Sequence, residues 1–434
     1  MDNRLLLGVG REIITPPLGT FLAGYGSSGR DAVAVHDDLT VTAFYFCSAD
    51  AKVMLISATL NLIDEEIADM LKTRIEEETG IPGAHILVHA THTHSSPLTF
   101  STNGWGTPNW SYVNSIFLPQ AVSAAKKAKN GSVSVKMAVS IGESLVGINR
   151  RQLNGENKII LGQCDYGCFD PKMTVISFAD DAGNCVANLV HYGCHATGAG
   201  SNLEITRDWP GVMTDRLEVI SGGVAAFFNG PEGDVGPRLT NGRTTGAKDI
   251  SYAMEHGAVA AADAVRIYRK AAAYHNAQLQ CVERVIKLPV DPRISYEEAR
   301  HRLDTVDDPN PQHAERIRMH YREILDSYES GYTEHTHAEF TQTALKIGDV
   351  VFVTYPFELF SEIGLRVQKA SSLPFVLNLA LTNGCESYFP TKGEIARGGY
   401  EVKAFKTERI QPLSDDADFA LVQETLKTLQ LLAQ

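Results

Sequence analysis

Several side chains that can bind a metal ion or move a proton follow shortly after apolar segments of the chain. His92 and His94 form a His-x-His pair immediately after one such segment, and His195 follows another. The other members of this set, each in a polar loop, are Asp234, Glu358 and Tyr388. Zinc prefers imidazole nitrogen and carboxylate oxygen, and catalytic zinc sites keep one position open for water. Two histidine loops plus a carboxylate therefore indicate a hydrolytic zinc site.

Each of these signals, taken alone, has a simpler explanation. In an extended segment His92 and His94 lie on the same face, which suits one metal ligand and one acid–base group. His195 could be a hydrogen-bonded structural histidine, and Glu358 could stabilise the N-terminus of a following helix. Tyr388 could be a half-buried aromatic residue with a satisfied hydroxyl group. Spacing does not bring these residues together, because they are far apart along the chain.

The elements that must position these side chains alternate between strands and helices. Apolar runs predict strands shortly before the candidate residues, at 86–90, 188–192, 224–229, 350–354 and 375–381. Amphipathic patterns predict helices at 64–79, 115–129 and 251–272. The first forty residues are rich in turn signals and predict ordered loop. Because several neighbouring strands look antiparallel, we predict a mixed α/β (α+β) fold, with central mixed β-sheets flanked by helices.

The chain contains no internal repeat or low-complexity segment, so we predict one domain spanning residues 1–434. A charged segment of helical period at about 295–330 predicts a surface helical hairpin that extends from this domain. The helical period breaks around Pro309.

Composition excludes some classes of function. The 434 residues carry a formal net charge of −13, and nucleic-acid binding depends on cationic side chains, so no nucleic-acid partner is expected. With 44% hydrophobic and 21% charged residues, intrinsic disorder is not expected either. The seven thinly spread cysteines predict free thiols rather than a disulfide scaffold. No secretory leader or membrane-spanning run is recognised, so we predict a cytoplasmic protein without stable membrane association.

An ordered set of motifs carries a resemblance to a known family. The motifs are Gly8-Val9-Gly10-Arg11, Ala90-Thr91-His92-Thr93-His94-Ser95, Ile148-Asn149-Arg150, His195-Ala196-Thr197, Gly233-Asp234-Val235, Pro356-Phe357-Glu358, and Tyr388 followed by Tyr400-Glu401. In this order they resemble the catalytic domain of the neutral (alkaline, non-lysosomal) ceramidases, which are zinc-dependent amidases. The match runs through nearly the whole chain.

The resemblance implies specific roles for these residues. The implied ligands of Zn²⁺, the expected cofactor, are His92, His195, Glu358 and Tyr388. It also implies that His94 is a base or proton shuttle, and that Arg150 and Tyr400 hold the substrate carbonyl or the developing oxyanion. These roles agree with general chemistry, because zinc acidifies water and preorganised donors stabilise an oxyanion. Asp208 and Asp234 are predicted to accept hydrogen bonds that orient the histidine ligands, with a purely structural role as the alternative.

The chain departs from the family at three points. Gly236 stands where the family has the serine of its Gly-Asp-Val-Ser-Pro loop. Neither a C-terminal β-sandwich domain nor a leader or anchor is expected. We therefore predict a zinc-dependent hydrolase in which activated water attacks an amide carbonyl of a small soluble substrate, and ceramide itself is less favoured.

Two other functions remain open from the sequence. A zinc-dependent lyase or isomerase would use the same site to polarise a carbonyl while His94 moves a proton, and the loss of the family serine at Gly236 motivates this alternative. A non-catalytic binding or scaffold protein would be expected to lack one or more ligands, whereas this sequence retains them. The predicted partner is a small molecule, and a homo-oligomer is compatible with the sequence.

Overall fold

The computed structural model describes residues 4–26, 28–101, 106–308 and 310–433, and it confirms the predicted mixed α/β fold. The strands are β1 Leu5–Ile13, β2 Ala34–Val35, β3 Thr40–Cys47, β4 Lys52–Ala58, β5 Ile86–Ala90, β6 Val133–Glu143, β7 Gly147–Leu153, β8 Ile159–Cys164, β9 Lys172–Asp180, β10 Cys185–Tyr192, β11 Glu204–Ile205, β12 Val224–Asn229, β13 Val235–Pro237, β14 Leu279–Pro289, β15 His337–Ile347, β16 Val350–Thr354, β17 Glu358–Leu359, β18 Phe375–Leu379 and β19 Tyr388–Phe389. The helices are α1 Glu65–Thr79, α2 Trp110–Tyr112, α3 Leu118–Asn130, α4 Asp208–Ser221, α5 Ser251–Tyr268, α6 Tyr296–Asp304, α7 Pro311–Glu329, α8 Ser361–Ala370, α9 Lys392–Arg397, α10 Tyr400–Lys406 and α11 Ala417–Gln430.

The main sheet brings the two histidine loops together. Within the described ranges it contains eight strands in the order β12-β10-β9-β6-β1-β3-β4-β5, with the pairs β4/β5 and β10/β12 parallel. The two edge strands β5 and β12 lie beside each other, because the backbone N–H of Asn229 donates to His89 Nε2 at 2.8 Å. This contact places the carboxyl ends of β5 and β10 close together, and His92 and His195 follow these two ends.

A second sheet positions the remaining candidate residues. Its strands, among the residues described, follow the order β14-β15-β16-β18, with β16 and β18 parallel. The rings of Phe44, Phe228 and Phe352 join the two sheets, with successive centroids 6.2 and 6.3 Å apart. The short parallel pair of β17 and β19 then aligns Glu358 directly with Tyr388. The carboxylate and the phenol are therefore held side by side by backbone pairing.

The structure differs from the prediction for the first forty residues, because β1 is an interior strand that pairs with β3 and β6. Leu5 and Leu7 alternate into the core. Gly8 and Gly10 face α3, and a Cβ on Gly8 would overlap the carbonyl oxygen of Ala128. The Gly-x-Gly spacing therefore allows a helix to pack closely on the sheet. The turn-rich composition of the segment did not indicate this interior strand.

The predicted helices form with adjusted ends. In α1, Ile67, Leu71 and Ile75 are buried on one face, and Gly80 ends the helix in the left-handed conformation with φ of 68°. The helix predicted at 115–129 begins as a π-helical turn, Val113–Phe117, and continues as α3.

Two helices, α6 and α7, pack together at the place of the predicted hairpin, where Ala299, Ile324 and Leu325 form a small apolar cluster. Pro309, which marks the predicted break, lies outside the described residues. The single-domain organisation stays a prediction. Across the described residues, every helix is too short or too polar to cross a lipid bilayer.

Candidate active site

The loop after β5 and the loop after β10 present three histidines to one another. An isolated parallel bridge between Thr93 and Ala196 joins the two loops. His92 has a φ of +70°, a conformation that costs a non-glycine residue about 1–2 kcal/mol and that is concentrated at functional sites. The Nε2 atoms of His92 and His94 are 3.3 Å apart, and the rings of His92 and His195 have centroids 4.6 Å apart. The loops therefore form one imidazole cluster.

Glu358 completes the cluster from the second sheet. Its Oε2 lies 3.0 Å from His195 Nε2 and 3.5 Å from His92 Nε2. All three side chains are buried, with His195 fully inaccessible. The structure thus brings together residues that are up to 266 positions apart in the sequence, because the ends of β5, β10 and β17 meet.

Hydrogen bonds to backbone carbonyls fix the tautomer of two histidines. His92 Nδ1 lies 2.9 Å from the Asn61 carbonyl oxygen, and His195 Nδ1 lies 2.9 Å from that of Glu232 and 3.0 Å from that of Val235. Since a carbonyl can only accept, each Nδ1 carries the hydrogen and each Nε2 presents a lone pair. Burial lowers the pKa of His195 to about 3, so its ring is neutral at pH 7. Lone pairs of His92 and His195 therefore point at Glu358.

This arrangement fits a divalent cation. Among the described residues, His195 Nε2 and Glu358 Oε2 are buried without a hydrogen-bond partner, although they are 3.0 Å apart. Two acceptors at that distance repel unless a positive charge lies between them. Ligand bonds of about 2.0–2.1 Å to zinc place neighbouring ligand atoms about 3–3.5 Å apart, which matches the separations of His195 and His92 from Glu358. The donor set and its spacing are those of a metal centre.

The prediction that Asp208 and Asp234 orient the histidine ligands is wrong. Asp208 accepts hydrogen bonds from the backbone N–H groups of Gly198, Ala199 and Trp209. Asp234 accepts from the backbone and hydroxyl of Ser361 and from the side chain of Asn149. Both carboxylates therefore stabilise loops around the site through hydrogen bonds, while main-chain carbonyls orient the imidazoles.

Tyr388 and Arg150 lie on the other side of the cluster. The ring of Tyr388 is nearly parallel to that of His195, with centroids 6.4 Å apart, and the Arg150 guanidinium carbon lies 5.3 Å from the Tyr388 ring centroid. Burial and the neighbouring Glu358 raise the pKa of the Tyr388 phenol, and Arg150 opposes that shift. Although burial opposes it, the neighbouring Tyr388, Glu401 and Glu358 raise the pKa of the guanidinium. Arg150 therefore stays charged in the site.

One cavity of about 60 Å³, partly open to solvent, is shared by most of the predicted site residues. Those that line it are His92, His94, Glu358, Tyr388 and Tyr400. The ring of Tyr400 contacts that of Tyr388 at a centroid distance of 5.6 Å. The predicted site residues thus occupy one region, whereas their chemical roles stay predictions.

Comparisons with known proteins point to one family, although no family model matches the chain. Neutral ceramidase A of Dictyostelium discoideum is 27% identical over 273 residues, which is 58% of this chain and 38% of that protein. The crystal structure of neutral ceramidase from Pseudomonas aeruginosa superposes with a TM-score of 0.76 at 20% identity, covering 99% of this chain and 75% of that one. The chain forms a neutral-ceramidase-like domain. A ceramidase structure described as complexed with C2 agrees, with a TM-score of 0.78, 19% identity, and coverage of 100% and 76%.

The match to the Dictyostelium protein spans well under half of that relative. It nevertheless confirms the resemblance carried by the ordered motifs. The neutral-ceramidase-like domain has the fold of the two superposed structures, and the activity of this chain is a separate question.

A buried ion-pair network holds Arg150 in place in the neutral-ceramidase-like domain. The carboxylate of Glu401 accepts from Arg150 Nε at 2.9 Å and from Arg151 Nη1 at 2.5 Å. Arg151 also donates to Glu394 at 2.6 Å. Glu401 is fully buried, so it neutralises charge that water cannot reach.

Glu401→Ala should lower the free energy of unfolding by about 3–5 kcal/mol, because it leaves two buried guanidinium groups without their shared carboxylate. Chemical denaturation measures this change. The matched control is Glu298→Ala, which breaks an exposed pair with Arg302 and should change stability little. Equal stability of the two variants would contradict the structural role of Glu401.

Gly24 packs against the ring of His94, a contact that the sequence analysis did not single out. Gly24 has a φ of +102°, and a Cβ there would lie 2.5 Å from His94 Nδ1 and 2.8 Å from His94 Cβ. The loop is held by Arg30, which donates to the carbonyl oxygens of Ala23 and His94 at 2.6 and 2.9 Å. A turn-rich Ala-Gly-Tyr-Gly segment is the signal that could have indicated this contact.

Gly24→Ala should reduce catalytic activity by roughly 10²-fold, because a shift of about 1 Å would misplace His94, the predicted base or proton shuttle. The matched control is Gly19→Ala. Gly19 also has a positive φ, +83°, but no atom lies within 4 Å of its would-be Cβ. Gly24→Ala should lose at least as much stability in thermal unfolding as Gly19→Ala, and only Gly24→Ala should lose turnover. Similar activity in the two variants would show that Gly24 does not position His94.

Proposed function

We propose that this chain is a zinc-dependent hydrolase that cleaves an amide bond of a small soluble substrate. The observation that carries the proposal is the buried cluster in which His92 and His195, each bonded to a backbone carbonyl through Nδ1, turn Nε2 toward Glu358. The named activity of the Dictyostelium relative supports amide hydrolysis as the reaction.

The residues proposed to hold zinc are His92, His195, Glu358 and Tyr388. When bound there, zinc supplies Lewis acidity and lowers the pKa of water toward about 7. The main-chain carbonyls of Asn61, Glu232 and Val235 keep the two imidazoles in the tautomer that can bind metal.

His94 is the residue proposed to move the proton. Its Nε2 faces the cluster and its Nδ1 is buried without a partner in the described part of the chain, so no carbonyl there fixes its tautomer. Burial, together with the neighbouring His92 and His195, lowers its pKa well below the ordinary value, so the ring is neutral and can accept a proton. As the oxygen of water bonds to the carbonyl carbon and the C–N bond breaks, the ring takes the water proton and gives it to the leaving amine.

Arg150 and Tyr400 are proposed to stabilise negative charge on the carbonyl oxygen. Glu401 holds Arg150 through Nε, and Arg150 Nη2 has no hydrogen-bond partner among the described residues. Tyr400 lines the same cavity as His94 and Glu358. Donors fixed in advance at a site of developing charge are worth several kcal/mol, because they need no reorganisation during the reaction.

Charged side chains in the lining of the cavity favour a hydrophilic substrate. Arg316 of α7 and Glu408 line the cavity and form an ion pair at 2.5 Å, while Arg316 Nε has no hydrogen-bond partner within the described part of the chain. A ceramide tail would have to pass these charges. The family serine also cannot simply be restored at Gly236, because a Cβ there would lie 2.5 Å from Thr244 Cβ.

The test compares metal content and substrate range of the purified protein. Zinc near one ion per chain, with hydrolysis of short-chain acyl or sugar amides above that of ceramide at matched concentrations, is the expected result. Protein without bound zinc would contradict the proposal, and products of elimination or isomerisation would support the zinc-dependent lyase or isomerase instead. The cytoplasmic location and any homo-oligomer stay predictions.

A further inference from the structure

A second buried carboxylate, Glu232, lies beside the proposed metal ligands. It belongs to the turn between β12 and β13, its side chain is fully buried, and neither carboxylate oxygen has a hydrogen-bond partner from another described residue. Burial, and next the charge of Glu358, raise its pKa well above the ordinary value. A buried carboxyl group without a partner is costly in either protonation state. Its position therefore calls for a partner that protein atoms do not supply.

The geometry shows where that partner lies. A carboxylate oxygen of Glu232, a ring nitrogen of His92 and a carboxylate oxygen of Glu358 all lie within 4.8 Å of one another. A similar group consists of His92, His94 and His195. His92 belongs to both groups.

The two groups indicate a single metal position, with His94 beside it as the proposed proton carrier. The Nδ1 atom of His92 is bonded to the Asn61 carbonyl, which leaves only Nε2 for a metal. A single nitrogen lone pair binds a single cation. Glu232 also fixes His195 through its main-chain carbonyl, so one turn residue contacts the site by both backbone and side chain.

We propose that Glu232 is an additional ligand of the metal ion, supplying a second carboxylate beside Glu358. This inference rests on the proposed function, because it requires the metal held by His92 and His195. Carboxylate oxygen favours hard cations such as Mn²⁺, whereas imidazole suits zinc. Glu232 thus broadens the metal preference of the site beyond zinc. The sequence analysis selected Asp234 from this loop, and Glu232 is the carboxylate that reaches the cluster.

The experiment measures metal affinity rather than activity. Metal-free wild-type protein, Glu232→Gln and Glu386→Gln are titrated with Zn²⁺ and Mn²⁺ in competition with a chromophoric chelator. Loss of a group that only orients a ligand already costs about 10–100-fold in affinity, so Glu232→Gln should weaken Mn²⁺ binding by at least about tenfold, and Zn²⁺ binding by less. Glu386→Gln is the matched control, since Glu386 lines the same cavity but pairs with Arg409. Its affinities should equal those of wild type.

Thermal unfolding of the metal-free proteins separates a ligand from a structural residue. Glu232→Gln replaces an unpartnered buried carboxyl group with an amide of similar size and should not lower the midpoint, whereas loss of a structural partner would lower it. A lowered midpoint, or Mn²⁺ affinity within twofold of wild type, would overturn the assignment of Glu232, as would equal weakening in Glu386→Gln. Failure of wild-type protein to bind either ion would instead overturn the proposed function.

Discussion

Replacing His195 by alanine should remove the metal from the purified protein and reduce amide hydrolysis by at least about 10³-fold, because zinc lowers the pKa of water from about 15.7 to about 7. His195 is fully buried, and its Nε2 is the nitrogen nearest to Glu358 Oε2, at 3.0 Å. Alanine leaves His92 and Glu358 without the second imidazole. Elemental analysis and initial rates on the same preparation measure both effects.

The control for this prediction is His301→Ala, since His301 is exposed on α6. It should keep both metal and activity. Circular dichroism should show that His195→Ala remains folded, because the substitution removes a side chain whose Nδ1 bonds only main-chain carbonyls. Full metal content in folded His195→Ala would refute the proposed ligand set.

The sequence predicted the members of the cluster better than it predicted the groups that orient them. His92, His195 and Glu358 were recognisable because imidazole and carboxylate groups followed apolar strands, and the order of motifs matched a family. Spacing alone left their convergence open. That convergence depends on the neighbouring edge strands β5 and β12 and on the pairing of Glu358 with Tyr388, both of which are long-range contacts.

The groups that orient the imidazoles could not be predicted because they belong to the backbone. Asn61 and Val235 orient the imidazoles through carbonyl oxygens, which every residue possesses, so no side-chain pattern marks them. The sequence analysis therefore assigned the orientation of the imidazoles to Asp208 and Asp234, whose carboxylates instead accept hydrogen bonds from neighbouring loops. Glu232 was missed for a related reason, since its backbone conformation decides whether its side chain or that of Asp234 faces the cluster.

His94→Ala should keep the metal but lower turnover by about 10²–10⁴-fold, the usual worth of a positioned acid–base group. His92 and His195 are each fixed through Nδ1 by a backbone carbonyl, as metal-binding histidines commonly are. His94 lacks such a bond, and its Nδ1 is buried without a partner. This asymmetry separates a proton carrier from a ligand, although the Nε2 of His94 is only 3.3 Å from that of His92.

Metal analysis of His94→Ala distinguishes these roles directly. Loss of metal equal to that in His195→Ala would make His94 a ligand, and the base would then have to be sought elsewhere in the cavity. Retained metal with a reduced kcat and a little-changed KM would support proton transfer, because the substrate contacts proposed for Arg150 and Tyr400 would remain. Small amines or imidazole added to His94→Ala should then restore part of the rate, since a free base can enter the space left by the ring, whereas they should not restore His195→Ala.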